Sequence, residues 1–370
     1  MEVNYGRRRP FSLGVEEEFQ LVNGESYELS SRFDEVCEAV GGDPRVKPEL
    51  MQSIVEVATH VAESVPEAIE ETRDLRAQLR DAAAEGGTLI ASAGTHPFSR
   101  YEHQEISEEP RYQELIETMQ WVAERELIFG LHVHVGLESA QQAIAVANGL
   151  RTWLPELLAL SANSPFWQGR DTGLASTRVK LFDAFPRSGL PPAFSSFEEF
   201  ELLIDRGVKT GSFDDYTFIW WDLRPHPKLG TIEIRICDGQ TRLESLAGLV
   251  ALVQALAATL AEQHEREGAL PIQPVTLIGE NKWRAARYGL DAELIDLERD
   301  QVRPAREAAL ELVELAEPAA RRLGCEDELA EIERLCARGS GAEEQRRVEE
   351  EQGTLLAVAK WLAEQTVAEV

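Results

Sequence analysis

Glu16 and Glu18 stand two apart in the segment GVEEEF, so on an extended chain both carboxylates leave the same face, with Cα atoms roughly 7 Å apart. Two such groups repel each other unless a cation or an arginine lies between them. The pair is therefore either a solvated edge-strand face or one wall of a metal site. His132 and His134 in HVHVG share a strand face in the same way, and two imidazoles at that spacing converge on one ion, although a pair of satisfied core histidines fits the same text. Glu56 sits among valines in SIVEVATHV. Glu233 and Arg235 form an ExR in TIEIRIC. That pattern is a salt bridge within a sheet, or a metal ligand next to a cation that neutralises a phosphoryl group in transfer. Arg170 and Arg178 in GRDTGLASTR suit anionic substrate groups or an ordinary surface loop. A ligand set of carboxylates and imidazoles without cysteine is hard, and suits Mg²⁺ or Mn²⁺ better than structural zinc.

These side chains need strands to hold them. In FSLGVEEEFQLV, Leu13, Val15, Phe19 and Leu21 alternate with Ser12, Glu16, Glu18 and Gln20, which predicts a strand with one acidic face and one wholly apolar face. SIVEVATHV predicts a second strand, with Val55, Val57 and Val61 on one side and Glu56 and His60 on the other. Further strands are expected over TLIASAGTHPF, LHVHVG and TIEIRIC. Helical spacing predicts helices from Pro66 to Gly86, over 110–128, over 139–161 and over roughly 243–262. Between 162 and 230 the text is dense in Gly, Pro, Asn, Asp and Arg, and reads as a long functional loop region in which Trp220 and Trp221 form core or pocket wall. The beat is not that of a parallel βαβ sheet, so the fold class is α+β. With no linker and no repeat, residues 1–370 read as one domain with a helical C-terminal part from about 290.

Composition narrows the function. There are 66 acidic and 37 basic residues, a net charge of −29, which repels nucleic acid and anionic lipid. Cys37, Cys237, Cys325 and Cys336 show no CxxC pair and no regular spacing, so neither a disulfide framework nor a thiolate zinc site is expected. No apolar segment follows MEVNYGRRRPF and no run of about 18 apolar residues is seen, which reads as a cytoplasmic protein. Rossmann and P-loop glycine motifs are absent. Apolar helices such as 141–160 are expected in a core or at the interface of a homodimer.

GVEEEF, SIVEVAT, HVHVG, NSPFWQGRDTGLASTR, WWDLRPHPKLGTIEIRICD and NKWRAARYGLDA, six motifs in order, resemble the glutamate–cysteine ligase type 2 family of ATP-dependent carboxylate–amine ligases. The resemblance implies a curved, mainly antiparallel sheet of the glutamine-synthetase type with helices on its outer face. It implies ATP and Mg²⁺ (or Mn²⁺) as cofactors, with Glu16, Glu18, Glu49, Glu56, His132 and Glu233 as metal ligands. His134 would touch phosphate or substrate, and Arg235 would steady the transferring phosphate. Arg170 and Arg178 fall in the substrate loop, and Asn281 and Arg284 belong to a motif tied to nucleotide or substrate. The implied reaction joins L-glutamate and L-cysteine into γ-glutamylcysteine through an acyl phosphate. Two other classes compete: a metal-dependent amidohydrolase, whose HxH closes the first strand of a (β/α)₈ barrel, and a non-catalytic nucleotide- or metal-binding relative.

Overall fold

The computed structural model describes all 370 residues, Met1–Val370. Seven strands form its main sheet: β1 (Leu13–Asn23), β2 (Val46–Pro48), β3 (Ile54–Ala58), β4 (Thr88–Ala91), β5 (Gly130–Gly136), β6 (Leu223–His226) and β7 (Thr231–Asp238). Their order is β6-β7-β5-β1-β3-β2, with β4 also paired to β1. Every pairing is antiparallel. Its helices include α1 (Val65–Glu85), α2 (Ala140–Leu150), α3 (Leu154–Ser161), α4 (Arg178–Phe182), α5 (Phe197–Lys209), α6 (Leu243–Glu267), α7 (Val275–Tyr288) and α8 (Ala305–Leu323).

The period-two pattern sends one row of each central strand inward. Leu13 and Val15 of β1, Val133 and Val135 of β5, and Ile232 and Ile234 of β7 join one apolar cluster that runs through α6 and α8 as far as Cys336. Each such side chain removed from water contributes about 1.5–3 kcal/mol, so this face dictates the register of the sheet. The opposite row of the same strands is left to carry polar groups. Helix α6 lies at the centre of the core. It is also long and apolar enough to cross a membrane, with 89% of its most apolar window buried, which corrects the expectation that no such stretch exists. Its apolarity is used against the sheet and against α2 and α8.

Several boundaries differ from the sequence reading for local reasons. The 139–161 helix is two helices, because Pro155 cannot continue α2 and instead occupies the first turn of α3. The 110–128 helix stops at Met119, a short turn follows at Trp121–Glu124, and the chain then leaves helical structure ahead of β5. The loop region contains α5, started by Ser196, whose hydroxyl accepts from the Glu199 amide at 3.3 Å. His60 and Val61 fall beyond β3, and both are exposed. The wholly apolar face expected for β1 is interrupted by Glu17, which points into the core and pairs there with Arg76 of α1.

A carboxylate and histidine cavity as candidate active site

Antiparallel register stacks the polar row across five strands. Glu16 lies opposite His132, Glu18 opposite Glu56, and His134 opposite Glu233, which in turn faces Arg224 of β6. The resulting cavity, about 380 Å³, is lined by Glu16, Glu18, Glu49, Glu56, His132, His134, Arg178, Glu233 and Arg235. Nine residues singled out from sequence thus meet in one place. Trp220 forms part of the wall, as expected, while Trp221 packs in a separate apolar cluster with Phe200.

Three groups of side chains place their ligand atoms within 4.8 Å of one another: Glu16, Glu56 and His132; Glu16, His134 and Glu233; and Glu18, Glu49 and Glu56. Glu16 and Glu56 each belong to two groups. Both His132 and His134 keep Nε2 buried without a hydrogen-bond partner. Buried polar atoms in that condition call for a partner that protein atoms do not provide, and the oxygen-rich donor set fits Mg²⁺ or Mn²⁺.

The charges are unevenly compensated. Glu233 is 1% exposed and receives Arg224 at 2.5 Å and Arg235 as well. Burial raises its carboxyl pKa, but the two guanidiniums outweigh burial and hold it well below the usual range. The ExR is therefore a salt bridge and a member of a possible metal group at once. Lys47 of β2 holds Glu56 at 2.9 Å. Even so, burial and the charge of Glu16 push Glu56 up to about 7. Burial and the neighbouring Glu56 and Glu18 push Glu49 well above its normal range. Glu16 goes the other way, because the His132 hydrogen bond at 3.3 Å and the His134 imidazole at 3.6 Å overcome the cost of its burial. His134 is raised by Glu16 and Glu233 against its own desolvation, whereas burial and the charge of Arg235 lower His132. With Lys47, Arg224 and Arg235 already engaged, Glu16, Glu18 and Glu49 have no fixed cation of their own.

The 162–180 loop reaches the site through Asp238, at the end of β7. Its carboxylate accepts from the Asn163 amide at 2.8 Å and from the hydroxyls of Ser164 at 2.6 Å and Ser176 at 2.9 Å. A bulge leaves Arg235 and Ile236 without partners on β5. Their carbonyls accept from the Arg178 guanidinium at 3.2 and 3.3 Å, which fixes Arg178 against the cavity. Gly130 leaves the room for it, since a Cβ there would push the guanidinium aside.

Three assigned residues lie elsewhere. Arg170 is exposed on a two-residue strand paired with Phe166–Trp167. Asn281 is buried, donating to the Ile295 carbonyl at 2.8 Å and accepting from the Ile295 amide at 2.7 Å. Arg284 bonds Glu280 and the Glu293 carbonyl. The structure does not bring these three to the cavity, and the contacts of Asn281 and Arg284 make the NKWRAAR segment a brace. Its Lys282 joins Asp183 at 2.9 Å to Asp222 at 2.7 Å, tying the end of α4 to the start of β6. Asn281→Ala is accordingly expected to destabilise the protein by about 1–3 kcal/mol while KM for nucleotide stays within about twofold. Thermal melting and initial rates check both halves, and a large rise in KM with unchanged stability would contradict the brace.

The sequence reading missed Glu126, Lys47 and Arg224, all of which line the cavity. A signal existed for Glu126: read backwards from HVHV, every second residue is Gly130, Ile128 and Glu126. Placing 110–128 in a helix concealed it.

An open antiparallel sheet also lacks the barrel that the amidohydrolase reading requires. Residues 12–360 match the glutamate–cysteine ligase family 2 model. The chain belongs to that family. Among its relatives are two Rubrobacter xylanophilus proteins whose names provisionally assign them as glutamate–cysteine ligases. One, ligase 2-1, is 45% identical over 96% of this chain and 95% of its own length. The other, ligase 2-3, is 46% identical over 99% of this chain and 100% of its own. The fold is shared with a Francisella tularensis glutamate–cysteine ligase solved in complex with AMP, at TM-score 0.71 and 14% identity over 98% of this chain and 90% of that one. It is shared also with a bifunctional glutathione synthetase from Pasteurella multocida, at TM-score 0.68 and 14% identity over 97% of this chain and 52% of the other. This family 2 member is an ATP-dependent ligase of the carboxylate–amine type.

Proposed function

We propose that this ligase condenses the γ-carboxylate of L-glutamate with an amine, L-cysteine first among them, forming γ-glutamylcysteine, ADP and phosphate with the help of Mg²⁺ or Mn²⁺. The supporting observation is the convergence of six carboxylates and two histidines on one cavity in a member of this family.

A carboxylate does not accept an amine directly, because the leaving group would be oxide. Attack of a carboxylate oxygen on the γ-phosphorus of ATP releases ADP and leaves an acyl phosphate. The amine nitrogen then bonds to the acyl carbon, the C–O bond to phosphate breaks, and the nitrogen loses a proton. Glu16, Glu18, Glu49, Glu56, His132 and Glu233 would hold the metal, which when bound supplies positive charge to the β- and γ-phosphates. Arg235, held by Glu233, faces the cavity and offsets negative charge on the phosphoryl oxygens. His134 accepts or donates at Nδ1 with the Thr231 hydroxyl at 3.0 Å, leaving Nε2 for phosphate or substrate. Arg178 would take a substrate carboxylate. No covalent nucleophile is needed, and Cys237, fully buried in the core with its thiol pushed up to about 12 by desolvation, is unsuited to be one.

ADP release measured with glutamate, ATP and a panel of amines tests the proposal. Turnover should be greatest with cysteine or a close analogue. No turnover with any amine would overturn it, and an ATP-dependent rise in melting temperature without ADP formation would mark a binding protein instead.

A further inference from the structure

One acidic group in the cavity wall has no task in the chemistry above. Glu126 precedes β5 and continues its inward row: it lines the cavity with Ile128, His132 and His134, while Leu127, Phe129 and Leu131 turn into apolar clusters. The residue is 9% exposed, and neither of its carboxylate oxygens has a hydrogen-bond partner. Retaining a buried carboxyl in that state is costly unless a ligand completes it. The charges that act on it most are Arg178, Glu18 and Arg125. Arg178 shares its condition, for both terminal nitrogens are taken by backbone carbonyls while Nε is buried and unpartnered. The cavity wall therefore holds an unpartnered acid that feels the charge of a guanidinium with an unpartnered Nε, and neither residue belongs to a candidate metal group.

A zwitterion fits such a pair. An α-amino acid carries an ammonium and a carboxylate on one carbon, and glutamate has its reacting carboxyl at the other end of the molecule. The attacking amine, by contrast, must bring its nitrogen to the phosphoryl end. We propose that Glu126 recognises the α-ammonium group of the amino acid whose side-chain carboxylate is activated, with Arg178 Nε turned toward its α-carboxylate. The assignment rests on the ligase reading and adds to it a residue that selects for an amino-acid donor.

Glutarate, which is glutamate without the amino group, is the probe. With the full-length wild type, kcat/KM for ADP release should favour glutamate over glutarate by about 10- to 100-fold, the range of a hydrogen bond to a charged group. Glu126→Gln should bring that ratio close to one by raising KM for glutamate, while KM for ATP and for the amine stay within about twofold. A Glu126→Gln enzyme that keeps the wild-type preference overturns the proposal, as does a rise in KM confined to the amine. If Glu126→Gln does not fold, Glu126→Asp takes its place with an intermediate ratio expected. A wild type indifferent to the amino group overturns the proposal without any variant. No ADP release from the wild type with either acid and any amine would instead strike the ligase reading.

Discussion

Glu16→Gln is expected to reduce ADP release by about three orders of magnitude, the loss that follows when an ion stabilising several kcal/mol of transition-state charge is no longer held. Glu16 is the natural choice because it belongs to two of the three candidate ligand groups, sharing one with His132 and the other with His134 and Glu233. Glutamine keeps an acceptor for the imidazoles and nearly the same volume, so the melting temperature without metal should move by only a few degrees. The Mn²⁺-dependent rise in melting temperature should shrink with it, since stabilisation follows RT ln(1 + [L]/Kd). Retained activity with a retained Mn²⁺ response would remove Glu16 from the ligand set. Glu233→Gln is a poorer test. Glu233 lies almost fully buried between Arg224 and Arg235, and neutralising it strands two guanidiniums, a change that costs about 3–5 kcal/mol at buried pairs. Lost turnover in that variant would not separate chemistry from folding.

The acidic rows of β1, β3, β5 and β7 were legible because a half-buried strand writes its two faces as alternating letters, and Glu16, Glu18, Glu56, His132 and Glu233 each stand on the polar beat. What alternation does not contain is which strands become neighbours. The register that sets Glu16 opposite His132 depends on a pairing 116 residues apart, and that of Glu233 with Arg224, nine residues apart, on the turn between their strands. For the same reason Lys47 and Arg224 escaped notice: each acquires meaning only from the carboxylate facing it. Asn281 and Arg284 illustrate the opposite case, singled out by motif and lying away from the cavity. A polar, positively charged helix motif looks the same on paper whether it grips a phosphate or a neighbouring loop, and here Asn281 spends both amide atoms on Ile295. Glu17 was lost by counting it with its neighbours, although its odd number places it on the apolar face.

That residue carries the second large effect. Arg76→Met is expected to destabilise the protein by about 3–5 kcal/mol, because it leaves Glu17 as a buried charge without a partner. Arg76 is 0% exposed and Glu17 2%. The guanidinium gives Nε and Nη2 to Glu17 at 3.1 and 2.5 Å, and it also donates to the carbonyls of Gln240, Thr241 and Thr366. One side chain thus joins β1, the turn ahead of α6 and the C-terminal helix. The pair has a further consequence for the site on the other face. A one-residue slip of β1 would turn Glu17 into the cavity and Glu16 and Glu18 into the core, exchanging every side chain between faces. An arginine fixed in the core opposite Glu17 opposes that slip. The double replacement Glu17→Leu with Arg76→Met removes both charges, so it should lose less stability than Arg76→Met alone, measured by urea midpoint. It should also bind Mn²⁺ less tightly than wild type, since only apolar packing would then hold Glu16 and Glu18 toward the cavity. Equal stability losses in the single and double variants would show that the three carbonyl contacts, and not the ion pair, make Arg76 indispensable.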